Sequence, residues 1–189
     1  QEHLTARKSE YLQAGYEVFA REAPESADAE VFALFAGLLA DLGLRAATGD
    51  LAILMAAVRG LRTLETRKAA LLRHIWRPRR FTRLLDRFSG RAPLPDTRAR
   101  LLAALDRGEC LADAPLVGLR SEAEIAARLA ALHEDAAAAP ISAEEVARLE
   151  DLLTLSAKSP AALARLREAA RDMPAIAGSV DRMAARLDA

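Results

Sequence analysis

The stretch Ser9-Glu10-Tyr11-Leu12-Gln13-Ala14-Gly15-Tyr16-Glu17-Val18-Phe19 decides the fold expected of this chain. Its residues alternate. Leu12, Ala14, Tyr16 and Val18 make one mostly apolar face, and Tyr11, Gln13, Gly15, Glu17 and Phe19 make the other. A period of two is the pattern of a β-strand lying with one face on a core, and it predicts a strand running to about Ala20. At a rise of about 3.3 Å per residue, Gln13 and Glu17 stand about 13 Å apart along such a strand. Gly15 between them leaves room for a small molecule. An amide and a carboxylate there offer oxygen acceptors to an ammonium or an imidazole N–H. Gln13 and Glu17 are therefore candidate ligand-binding residues, although a solvated face on a half-buried strand accounts for the same alternation.

Composition sets the wider frame. The chain has 189 residues, 52% hydrophobic and 29% charged, which is the balance of a globular protein. Aromatic residues are only 4%, so the core is expected to be built from Leu, Ala and Val, as in packed helices. Net charge is zero, so overall charge argues for neither nucleic acid nor a membrane surface. Cys110 is the sole cysteine, so no internal disulfide forms and a reducing, cytoplasmic setting fits best. No histidine or basic cluster adjoins it to activate the thiol, which suits a loop or packing position. No run of 18 apolar residues is present, so no membrane span is expected. The chain begins at Gln1, a few residues ahead of a strand that needs partners at its edges, which predicts a fragment of a longer protein.

In chain order, residues 1–9 lack periodicity and read as a loop holding His3. Residues 21–26 carry turn chemistry, and Ser26 or Asp28 is placed to cap a helix bearing Val31, Leu34, Phe35, Leu38, Leu39 and Leu42, stopped by Gly43. Leu44 to Ala47 reads as a short strand turning at Thr48-Gly49-Asp50. Leu51 to Val58 is ambiguous by period, but Ala52, Met55, Ala56 and Ala57 favour helix, ended by Gly60. From Thr63 onward everything reads as helix. Leu71, Leu72, Ile75 and Trp76 form one apolar stripe, interrupted at Pro78, and Phe81, Leu84, Leu85 and Phe88 form the next. Leu101, Leu102 and Leu105 mark a short helix ended by Gly108. Ser121 with Glu124 and Ser142 with Glu145 are capping boxes, and Ser159-Pro160 fits an N-cap with proline at the first helical position. Pro174 separates a last helix with Val180, Met183 and Leu187.

Charge is unevenly spread. Between Arg59 and Arg100 a dense run of arginines is opposed only by Glu65, Asp86 and Asp96, and it peaks at Arg77-Pro78-Arg79-Arg80. Such a patch suits phosphates or an acidic partner. Trp76, Phe81 and Phe88 fall by spacing on the apolar stripe and not among the arginines, which disfavours the exposed stacking platforms of RNA binding. A solvated or subunit-contact face fits better, so Arg77, Arg79 and Arg80 are candidate partner-contact residues. His3, His74 and His133 are far apart in sequence, and no metal-ligand spacing, P-loop, GxGxxG or GxSxG is present. No catalytic set, metal or cofactor is predicted.

Leu12 to Phe19, followed by Ala27-Asp28-Ala29-Glu30-Val31, resembles the second half of motif 2 and the next helix of histidyl-tRNA synthetase-like proteins. The text Arg67-Lys68-Ala69-Ala70-Leu71-Leu72 and His74-Ile75-Trp76-Arg77-Pro78-Arg79-Arg80-Phe81 resembles their non-catalytic paralogue, the alphaproteobacterial ATP phosphoribosyltransferase regulatory subunit. The resemblance covers roughly residues 9 to 90. It implies the class II synthetase fold, with Gln13 and Glu17 lining a histidine pocket. It also implies a short-form ATP phosphoribosyltransferase catalytic subunit as partner, histidine as effector, and self-association. Motif 1, the motif 2 arginine, motif 3 and the Tyr-Tyr segment that closes the pocket are absent, so this piece alone is not expected to adenylate an amino acid.

The expectation is thus an α+β chain, predominantly helical. Residues 1–60 would form part of a class II synthetase-like antiparallel sheet, and residues 61–189 a helical region. The function expected is a non-catalytic regulatory subunit in histidine biosynthesis. A fragment of an active histidyl-tRNA synthetase and a basic helical module for RNA or protein are the alternatives.

Overall fold

The apolar run after Asp50 is a helix, not a strand. In the computed structural model, which describes residues 12–109, 118 and 120–189, helix accounts for 68% of the chain and no strand occurs among the described residues. The expected antiparallel sheet is therefore corrected to an all-helical architecture. Residues 12–20 have no regular secondary structure and lie exposed, with Leu12 at 103% and Phe19 at 92% of full accessibility. Alternation alone does not make a strand. The ladder needs a neighbouring chain to take its N–H and C=O groups, and without one the apolar face has nothing to cover it. Leu44 to Ala47 is likewise not a strand. Residues 1–11, with His3 and the first part of the expected strand, and Cys110 lie outside the described residues.

The chain divides into two units, Gln1–Gly49 with Asp181–Ala189, and Asp50–Val180. In the first, α1 spans Pro24–Leu38 and a 3-10 turn follows at Ala40–Leu42. Neither Ser26 nor Asp28 caps α1. Pro24, whose fixed φ suits the first helical turn, starts it earlier, after Ala23 at φ 48°. Gly43 stops the helical run as expected, at φ 60° with its N–H on Ala40 O. No residue of α1 is buried, and Phe32, Leu34, Phe35 and Leu38 remain exposed. Asp28 pairs with Arg186 at 3.4 Å.

The second unit holds α2 (Leu51–Arg59), α3 (Glu65–Arg73), α4 (Pro78–Phe88), α5 (Asp96–Asp106), α6 (Glu122–Ala137), α7 (Ala143–Thr154) and α8 (Ser159–Asp172). A 3-10 turn at Pro174–Ile176 leads into α9 (Ala177–Asp188). The Asp50 carboxylate accepts the Ala52 N–H at 2.7 Å and starts α2, which then packs against α3, α7 and the 3-10 turn. The core follows helical spacing: Ile53, Leu54, Ala57 and Val58 on α2, Phe81, Leu85 and Phe88 on α4, Val146 and Leu149 on α7, and Leu163 and Leu166 on α8. Ser121 and Glu124 form the expected capping box on α6. On α7 only half of the expected box forms: Ser142 Oγ accepts the Glu145 N–H, while the Glu145 carboxylate takes the Ser142 hydroxyl at 3.2 Å and the Arg62 N–H at 2.8 Å in place of the Ser142 backbone N–H. Ser159 is the first residue of α8 and not its cap.

One charged side chain sits inside this core. Arg67 lies one and two helical steps before Leu71 and Ile75 on the same face and is only 6% exposed. Its Nε donates to Asp135 Oδ1 at 2.5 Å, Nη1 to Ala139 O at 2.8 Å, and Nη2 to Asp135 O at 2.5 Å and Ala138 O at 3.4 Å. These carbonyls belong to the end of α6, where the last C=O groups of a helix lack intrahelical donors and carry partial negative charge. Asp135 Oδ2 accepts from Arg98 at 2.5 Å. The Ile141 N–H then donates to Phe88 O at 3.0 Å, so the chain leaving α6 is tied to the end of α4.

Gly60, which ends α2 as expected, has φ −77°, a value open to any residue. A Cβ there would stand 2.7 Å from the Ala175 Cβ. We predict that Gly60→Ala costs about 1–3 kcal/mol by overpacking. In an Ala175→Gly background, where that methyl is gone, the same substitution costs less than about 0.5 kcal/mol. Urea denaturation of the four proteins checks this, and an equal cost in both backgrounds contradicts it.

Candidate cationic interface

The break between α3 and α4 gathers Arg73, Arg77, Arg79 and Arg80, all exposed. A residue before proline is driven out of helical φ and ψ, and Arg77, at φ −126° and ψ 80°, precedes Pro78 and serves as the N-cap of α4. Residues 74–76 form a turn. Arg79 and Arg80 follow in the first turn of α4, which contains no acidic residue. A helix N-terminus carries partial positive charge, so cations there repel it and each other. Arg73 closes α3 on the other side of the turn. Among the described residues no carboxylate pairs with Arg73, Arg77, Arg79, Arg80 or Arg83.

Trp76 stands in the middle of this corner at 80% exposure. The spacing from Leu72 and Ile75 placed it on the buried stripe. The helix, however, ends at Arg73, so Trp76 follows the turn and not the helical period. Phe81 and Phe88 are buried at 1% and 3%, as their spacing predicts. The structure thus keeps Arg77, Arg79 and Arg80 together and adds an aromatic side chain that sequence spacing misassigned.

Gln13 and Glu17 are both exposed, in a segment without regular secondary structure. No strand face joins them. A cavity of about 510 Å³ in the second unit lies elsewhere, bordered by Gly60, Arg62, Glu145, Arg148, Asp172 and Ala175. Its walls carry both charge signs, and Glu145 is already engaged by the Arg62 N–H. Among the described residues no group of three His, Cys, Asp or Glu is placed to hold a metal ion, and no helix is long and apolar enough to cross a membrane.

Trp76 is the chain's single tryptophan, so its fluorescence reports this corner alone. Unpaired arginines raise the local anion concentration. Iodide is therefore expected to quench Trp76 more strongly than caesium at equal ionic strength, and the Arg77→Gln/Arg79→Gln/Arg80→Gln variant to bring the two together. Equal quenching in the unaltered protein contradicts the uncompensated charge.

No family model matches the chain, and neither the curated proteins nor the solved structures contain a match to it.

Proposed function

We propose that the chain is a non-catalytic binding subunit whose Arg77, Arg79 and Arg80 corner receives an acidic protein surface, with Trp76 as the anchor. The observation that carries this is the exposed Trp76 set among arginines that no carboxylate satisfies among the described residues. Tryptophan and arginine dominate the energetics of protein interfaces, because one buries a large rigid area and the other makes forked hydrogen bonds. Segregated charge of this kind also steers an oppositely charged partner into register. One exposed aromatic among these arginines favours a protein over single-stranded RNA, which binds through a series of stacking rings.

The resemblance to the ATP phosphoribosyltransferase regulatory subunit gives this reading its named partner, the short-form catalytic subunit. Histidine would act as effector by binding two arrangements of the complex unequally. Gln13 and Glu17 are the histidine candidates of that version, now without a strand to align them.

The experiment measures the affinity of the full chain for the short-form catalytic subunit and for a single-stranded RNA oligonucleotide, at low and high salt. Trp76→Ala is expected to weaken the subunit complex by about 2 kcal/mol, roughly thirtyfold. The triple arginine variant should remove most of its salt dependence. Unchanged affinity in both variants contradicts the interface. Saturable RNA binding with a steep salt slope, lost in the same variants, would replace the protein partner with RNA.

A further inference from the structure

A second group of arginines, away from the Trp76 corner, borders an open cleft of about 270 Å³. Arg67, Arg87, Arg98 and Arg128 line it together with Asp135, and Phe88, Ala131 and Leu132 supply an apolar wall. Arg67, Arg87 and Arg98 thus crowd around Asp135, while Arg128 lies within coulombic reach of Glu124. Arg67 is used up by Asp135 and the carbonyls at the end of α6. Arg87 is not. Its Nη2 stands 3.9 Å from Asp135 Oδ2, beyond hydrogen-bond reach, and its Nε is buried without a partner. Its guanidinium lies 4.5 Å from the centre of the Phe88 ring, which fixes the plane of the fork. Among the described residues Arg128 makes no ion pair with a carboxylate. Burial first, and then the facing Arg98, hold the Arg87 guanidinium below its ordinary value; Asp135 offsets part of this and Arg67 adds to it. An anion seated in the cleft would relieve that repulsion and meet the accessible end of the Arg87 fork.

We propose that this cleft binds a phosphate dianion, held by Arg87, Arg98 and Arg128. Arg87 and Arg128 are the two cations without a hydrogen-bonded carboxylate, which matches the two charges of a dianion, and planar guanidinium forks match the oxygens of phosphate. The apolar wall of Phe88, Ala131 and Leu132 accommodates the organic part of a phosphomonoester beside the charged end. The site is independent of the protein-partner reading, because it uses none of Arg77, Arg79 or Arg80.

Calorimetric titration of the full chain with inorganic phosphate and with phenyl phosphate, at fixed ionic strength, tests it. Saturable binding is expected, weakened at least tenfold in Arg128→Gln and unchanged in Arg165→Gln on α8. Arg128 is exposed, so its variant keeps the fold, which circular dichroism verifies; Arg87→Gln provides the same test from the buried side. Tighter binding of phenyl phosphate assigns the site to an ester, and equal binding assigns it to free phosphate. Absence of saturable heat with either probe, or equal weakening in Arg165→Gln, overturns the site and leaves the arginines a structural cluster only.

Discussion

A guanidinium placed where a leucine would otherwise pack organises the larger helical unit. Arg67 shares the buried face of Leu71 and Ile75, and a charge there is tolerated only when it is fully hydrogen-bonded. The acceptors come from one place, the end of α6 and the two residues that follow it, where the Asp135 carboxylate and the carbonyls of Asp135, Ala138 and Ala139 converge. The same contact answers two needs: it neutralises the buried cation, and it caps carbonyls that the helix cannot satisfy itself. The consequences run outward along the chain. The segment after α6 is tied to α4 through Ile141 and Phe88, and α7 then begins where Glu145 reaches the Arg62 N–H.

The zero net charge of the sequence conceals a division of labour among its arginines. Some are consumed by structure. Arg67 and Arg98 meet at Asp135, and Arg91 reaches Glu150 at 2.5 Å. Others face outward at the start of α4, where the helix terminus disfavours them. A helix start loaded with cations costs a few tenths to about one kilocalorie per mole, a cost that any acidic partner removes on binding. Local electrostatics and an exposed aromatic therefore point the same way, although neither alone defines a site.

Much of the helical unit was legible because its signals are local. Gly43, Gly60 and Gly108 stop helices where they should, and Ser121 with Glu124 caps as its spacing says. Phe81, Leu85 and Phe88 on α4 and Val146 and Leu149 on α7 are core as their spacing says, whereas Leu84 and Leu152 are half-buried and Leu153 is exposed. The strand at Leu12–Val18 failed because period two states only which residues share a face, not whether another chain lies alongside to complete the ladder. Trp76 was misplaced because a helical stripe was extended past the turn that Pro78 imposes. Asp135 was invisible among many carboxylates, since its partner lies 68 residues away. The signal that was available is Arg67 itself: an arginine in phase with Leu71 and Ile75 requires a buried acceptor somewhere in the fold.

The dependence of the unit on this contact is tested by the urea stability of Arg67→Lys. Lysine keeps the charge but presents a point donor in place of a planar fork, so it cannot serve the Asp135 carboxylate and the Ala138 and Ala139 carbonyls together. A loss of about 3 kcal/mol or more is predicted, in the range for breaking a buried ionic contact. Stability within about 0.5 kcal/mol of the unaltered protein, the range of an ordinary surface substitution, would contradict the central place given to Arg67.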